Sequence, residues 1–300
     1  MKKSQITMLA TLFAISFTAS CTGNRSGIEV EDINYSDTTQ YVNFSAEFQF
    51  PKGNGKARKA IREQLIQIAS DQINGLMDFE DEVPSIPTAS VQELLDQCAS
   101  VKDSMNAMSK SDYDFRRKFI LEDSDYDQQQ KDEMLSYIPS WDESISIYLE
   151  TDTTRYCVFS SQNYTYMGGA HGGVSGAGFL TFLKSDGSLF SNFLNDDCIE
   201  ALQPLIREGL AEYLSFEDEK VLPEDLADYL FIGEGETIPL PVYEPYPCSD
   251  GLTFLYQQYE IAPYAMGMPS FTIPYDRIEP FMTDAAKKLF LIPSRGIQFF

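Results

Sequence analysis

The sequence is poor in the side chains that most catalytic and metal chemistry needs. It holds a single histidine, His171, and no His-x-x-x-His or Cys-x-x-Cys spacing, so neither a local zinc pair nor a thioredoxin-like redox motif is present. No Gly-Lys-Ser/Thr occurs, and no G-x-G-x-x-G stands between a strand and a helix, which removes the phosphate-loop and dinucleotide readings. Positive charge is also scarce. Lys and Arg number 22 against 46 Asp and Glu, a formal charge of -24. So acidic a chain repels phosphate backbones, and nucleic-acid binding is not expected. Past residue 20 no apolar run approaches the length needed to cross a bilayer.

What is present begins with the N-terminus. Met1-Lys2-Lys3 is basic, Ile6 to Phe17 is apolar but short of a membrane span, and Thr18-Ala19-Ser20 precede Cys21. This resembles a bacterial lipoprotein signal peptide, with Thr18 standing where an aliphatic residue is usual. The expected organisation is a signal peptide over 1–20 and a lipidated tether over 21–27, with Cys21 carrying lipid and Thr22 to Gly27 as the flexible part. The plain alternative is a secretory signal cut near Ala19-Ser20. The tether has no acidic run of the surface-export kind, which favours the periplasmic face of an outer or plasma membrane. Cys98, Cys157, Cys198 and Cys248 remain, an even number in an oxidising compartment with three pairings open. Buried free thiols are the alternative.

The body of the chain reads as α+β. Val42, Phe44, Ala46, Phe48 and Phe50 alternate with polar residues and predict a half-buried strand ending at Pro51. Helices are predicted from Lys56 to about Phe79 and from a cap at Ser90 through Met108, with residues 111–138 helical in part. Period two returns at Ile145–Leu149, Tyr156–Ser160 and Phe179–Leu183, with Asp186-Gly187 as a tight turn. Further helices are predicted over 196–216, opened by Asn195 or Asp196, and over 217–232. An extended Pro-rich passage, strands at Leu252–Ile261 and Ser270–Pro274, and a helix from Asp276 with Ala285 inward complete the reading. The expectation is antiparallel sheet with helices packed on one face, in two intimately associated subdomains over 28–183 and 188–291, with a tail over 292–300.

One stretch, Asn163 to Gly178, asks for more than packing. It carries His171 among closely spaced glycines, which permit positive φ and close backbone approach. As a general base His171 needs a nucleophile. Ser175 is near, but Gly173-Val-Ser-Gly-Ala177 has Ala where the nucleophile elbow has its last Gly. Asp123, Asp125 and Asp127 begin like a calcium loop, yet Gln128 and Met134 occupy its glycine and bidentate-glutamate positions, so a solvated acidic face is the better reading. Tyr and Pro of 242–247 and 259–264 are either half-buried loop packing or an aromatic platform for a glycan. No cofactor, metal or catalytic residue is assigned.

Tyr166-Met-Gly-Gly-Ala-His-Gly172, Asn192 to Leu194, Asp250-Gly-Leu-Thr-Phe254, Tyr259-Glu-Ile-Ala-Pro-Tyr-Ala-Met-Gly267 and Ile273-Pro-Tyr275 together carry a family resemblance. They are similar to the paired unknown-function extracellular domains found in the anti-sigma factor RsiV and ahead of the deacetylase domain of PdaC, over about residues 28–291. The resemblance implies a mixed α+β fold, the bacterial envelope and a role in recognition, with lysozyme binding known among relatives. Nothing reads as a cytoplasmic sigma-binding segment or an appended catalytic domain, so neither anti-sigma activity nor deacetylation is expected. The expectation is therefore a lipid-anchored protein that recognises a glycan such as peptidoglycan, or a basic protein such as lysozyme. Its site is expected at Tyr166, Gly168, Gly169, His171 and Gly172, supported by Tyr259, Tyr264 and Gly267. An envelope hydrolase using His171 and a purely structural lipoprotein are the alternatives.

Overall fold

In a computed structural model, residues 27–76, 85–169, 172–215 and 220–291 are described. Cys21 and His171 lie outside them. The alternation at 42–50 becomes strand β2 (Val42–Pro51), which forms a hairpin with β1 (Val30–Thr38). The turn is closed by Thr39, whose hydroxyl accepts from the Tyr41 and Val42 amides. Val42, Phe44, Ala46, Phe48 and Phe50 all point into one core and are at most 1% exposed. Covering them are α1 (Lys56–Gly75), through Ile61, Leu65, Ala69 and Ile73, and α2 (Val91–Glu122), through Leu94, Cys98, Val101 and Met105.

The expected cap at Ser90 is present, its side chain accepting from the Glu93 amide. The uncertain passage after Met108 turns out to be a continuation of α2, 32 residues long in all, followed by α3 (Gln128–Ser136) behind a capping box of Asp127 and Gln130.

Strands β3 (Trp141–Asp152), β4 (Tyr156–Tyr166) and β5 (Val174–Leu183) complete a five-stranded sheet in the order β1-β2-β3-β4-β5. One junction departs from the antiparallel expectation, because β2 and β3 run parallel. Parallel neighbours require a crossover. Here that crossover contains α1, α2 and α3, of which α1 and α2 cover the sheet. β5 also differs from expectation. It begins at Val174 rather than Phe179, so Gly176 and Gly178 are strand residues, and the loop proper is confined to 167–173.

A second core forms around α4 (Ile199–Leu214) and an antiparallel sheet of β6 (Tyr246–Pro247), β7 (Gly251–Leu255) and β8 (Ser270–Pro274). α4 starts at Cys198 without a side-chain cap, not at Asn195 or Asp196. Within 220–232 only a 3-10 turn at Leu226–Asp228 is helical. The strand predicted to reach Ile261 ends at Leu255. The final helix is broken. α5 (Tyr275–Ile278) passes into a 3-10 turn containing Pro280, and α6 (Asp284–Phe290) restarts from a Thr283 cap. That break shifts the register so that Ala286, not Ala285, is buried.

The two cores share a boundary of aromatic rings. Phe179 stacks on Tyr246 at 3.6 Å between centroids, and Tyr156 and Phe190 meet Phe290 edge-on. All four cysteines at 98, 157, 198 and 248 are free thiols. Burial pushes those of Cys98 and Cys157 up to about 12.

Candidate functional site

Strand periodicity decides where space opens on the helical face of the sheet. On β5 that face carries Val174, Gly176, Gly178 and Leu180, opposite Thr165, Asn163, Ser161 and Phe159 of β4. Two consecutive inward positions therefore have no side chain of their own: the Asn163 amide fills the space at Gly176, where a Cβ would come within 2.5 Å of its Oδ1, and beside Gly178 the sheet is not filled up to α1. The result is a groove of two adjoining cavities of about 490 and 590 Å³, which share Gln72, Asn163 and Tyr243. Its floor is Ser161, Asn163 and Thr165. One wall is Ile68 and Gln72 of α1 with Leu76 at its C-cap, and the other is Val242 and Tyr243 of the Pro-rich passage. A Cβ built on Gly178 would meet the Tyr243 ring at 3.7 Å, so the missing side chain is the space the tyrosine overlooks.

Side chains from the second core hold this wall to the sheet. β5 is an edge strand, and its unpaired backbone needs partners. Gln258 Oε1 accepts from the Ser175 amide at 2.7 Å. Gln257 accepts from the Ala177 amide at 3.0 Å and donates from Nε2 to the Ala177 carbonyl at 2.8 Å. The Tyr264 hydroxyl donates to the Gly173 carbonyl at 2.9 Å. The turn bearing these glutamines is fixed by Glu260, whose carboxylate accepts from the amides of Gln257 and Val242, so one acid sets both the strand contact and the groove wall. Tyr259 within that turn has φ 64°, the only positive φ at a non-glycine among the described residues.

The expected site residues are brought only partly together. Tyr166, Gly168 and Gly172 line the second cavity. Gly169 adjoins them at φ 138°, and its carbonyl accepts from the Tyr166 hydroxyl at 3.4 Å. Tyr264 reaches the loop from outside: a Cβ on Gly172 would come within 2.5 Å of its hydroxyl, and one on Gly173 within 2.4 Å of the Tyr164 ring. Tyr259 stands beside Tyr264 at 5.8 Å, and Gly267 packs near Tyr213, whose hydroxyl donates to the Met266 carbonyl. None of Tyr259, Tyr264 and Gly267 lines either cavity. The floor and α1 wall were missed. Their signal is the period-two run Ser161, Asn163, Thr165 facing Gly178 and Gly176.

Among the described residues the lining carries two acids, Asp71 and Glu244, and no Lys or Arg. Asp71 is occupied by Gln67 and Ser85, and Glu244 at the rim has its carboxyl raised by desolvation. Gln72 Oε1 and the Ser161 hydroxyl are buried and without a hydrogen-bond partner. Beside the floor, Glu143 of β3 pairs with Thr165 and is fully buried. Burial pushes its carboxyl up to about 8, against a smaller opposing pull from the Thr165 hydroxyl, which stays short of bonding geometry. Among the described residues no three His, Cys, Asp or Glu side chains group closely enough to hold a metal.

Half of what frames this groove lies in a segment with known relatives. Residues 189–276 match the family described as "Protein of unknown function (DUF3298)". That DUF3298 match contains the Val242–Tyr243 wall and the 257–260 turn, while α1, β4 and β5 precede it. Among solved structures, a DUF3298 family member from Bacteroides fragilis is similar with a TM-score of 0.62 at 18% identity, covering 86% of this chain and 95% of that one. A DUF3298 family protein from Pseudomonas aeruginosa is similar with a TM-score of 0.52 at 15% identity, covering 89% and 96%. At such identities the likeness is one of fold. No curated protein matches the sequence. Among the described residues no helix is long and apolar enough to cross a membrane.

Proposed function

We propose that this is a lipid-anchored recognition protein of the bacterial envelope, related to the extracellular domains of RsiV and PdaC, which binds its ligand in the groove between α1, β5 and the Val242–Tyr243 wall. The observation carrying the reading is the inward pair Gly176 and Gly178: Asn163 lies over the first, and the second leaves a cleft where a side chain would ordinarily pack, bounded by a wall held to the sheet by Gln257 and Glu260. The role is recognition, not turnover, and the ligands in view are a peptidoglycan-related glycan and a protein such as lysozyme. Cys21, which would carry the lipid, lies outside the described residues. A Cys21→Ser change is expected to move the protein from the membrane to the soluble envelope fraction.

The test is co-sedimentation with purified sacculi, run beside capture on immobilised lysozyme, with wild type and Gly178→Leu. At least one ligand should be retained by wild type and lost by the variant, whose new side chain occupies the cleft. Retention of neither ligand, or equal retention by both proteins, would sink the reading.

A further inference from the structure

The groove is specific about chemistry as well as shape. Resting on the recognition reading above, we infer that it takes an uncharged saccharide chain rather than a peptide, nucleotide or other ionic ligand.

The first support is what the lining offers. Its interior polar groups are amides and hydroxyls: Gln72, Asn163, Ser161 and Thr165. Such groups pair with sugar hydroxyls and acetamido groups, donating and accepting without a charge to match. Gln72 Oε1 and the Ser161 hydroxyl lie buried beneath this lining without a partner, so the polar contacts open to a sugar come from the half-buried Asn163 and Thr165 and from the rest of the Gln72 amide.

The second support is what the lining lacks. With no Lys or Arg among the described residues of either cavity, a phosphate or carboxylate finds no counter-charge there. Asp71, which accepts from Gln67 and Ser85, and Glu244 are the two acids of the described lining, and both are exposed at its edge rather than set among the interior amides.

The third is the aromatic and apolar part. Tyr243 is 53% exposed at the point shared by both cavities, and Ile68, Leu76 and Leu180 supply apolar surface below it. A tyrosine face over an amide-lined floor suits a pyranose, which has an apolar C–H face and a polar rim. The groove follows β5 from Val174 to Leu180, about 20 Å at the rise of a strand, long enough for several linked rings.

The experiment is calorimetric titration of the whole chain with tetra-N-acetylchitotetraose, with cellotetraose and with a lysine oligopeptide. Saturable binding of at least one saccharide is expected. Gly178→Leu and Tyr243→Ala should each weaken it by tenfold or more, and Asn163→Ala severalfold. Should Gly178→Leu lose its fold by circular dichroism, Tyr243→Ala decides, since it removes atoms from an exposed ring, with Asn163→Ala beside it once its fold is confirmed the same way. Absence of saccharide binding, or binding unmoved by these variants, overturns the inference. Sacculi or lysozyme retained in that case leave the recognition reading standing, and binding of the lysine peptide alone replaces the saccharide by a basic chain.

Discussion

Glu143 permits a quantitative test of the fold beside the groove. Its carboxyl sits in the sheet between Phe44 and Thr165, fully buried, with neither oxygen hydrogen-bonded. Burial raises it to about 8 from the ordinary value of 4.5, with like charge on Asp142 a minor contribution. Below the ordinary value both folded and unfolded chains are protonated. Between there and about 8 the folded chain keeps a proton that the unfolded chain has released, so stability falls as pH rises, by about 1.4 kcal/mol per unit. At pH 7 the accumulated loss is about 3 kcal/mol, and above 8 it levels off.

Glu143→Gln keeps the shape and removes the titration. Urea unfolding of both proteins across acid to mildly alkaline pH should give near-equal stabilities at the acid end. The Gln variant should lead by about 3 kcal/mol at neutrality, other carboxylates cancelling in the difference. The native state offers a second readout. Trp141 is the only tryptophan, two residues away on the same face of β3, with its indole N–H buried and unpartnered. Its fluorescence should titrate near pH 8 in wild type and not in the variant. A stability difference flat with pH refutes the placement of a protonated Glu143 in the core.

Two further outcomes follow from contacts already described. Gln257→Ala removes two hydrogen bonds to Ala177 at an edge strand, and should cost about 1–3 kcal/mol in urea unfolding while leaving helix content unchanged in circular dichroism. Among the four described cysteines, Cys98, Cys157 and Cys198 are buried and Cys248 is half-buried. A thiol reagent applied to the native protein should therefore modify Cys248 well ahead of the rest, with all four reacting after unfolding; rapid native reaction at Cys98 or Cys157 would contradict the packing.

Most of the first core was legible because its signal is local. The 42–50 alternation and the stripes of α1 and α2 are amphipathic patterns with one solution each. Register and pairing were not. The parallel β2–β3 contact depends on a crossover of nearly ninety residues, and no local pattern encodes which strand a strand will meet. β5 was read too short because Gly176 and Gly178 have poor strand propensity, and tertiary pairing with β4 overrides it. The site was half legible for the same reason. Tyr166, Gly168 and Gly172 announce themselves by composition, whereas Gln72 on α1 looks like any exposed helical residue until the sheet beneath it is missing two side chains.

The register of the large sheet also gives it a near and a far end. Gly27 adjoins the start of β1, where the Ile28 amide donates to Asp152. The row through Asn43, Asp142 and Tyr166 lies at the opposite end, where β4 ends and β5 begins. Nine residues of β1 separate the two, about 30 Å. A pull applied before Gly27 would therefore load the end of the sheet remote from Tyr166 and Val174, and reach them only through the full length of the strands.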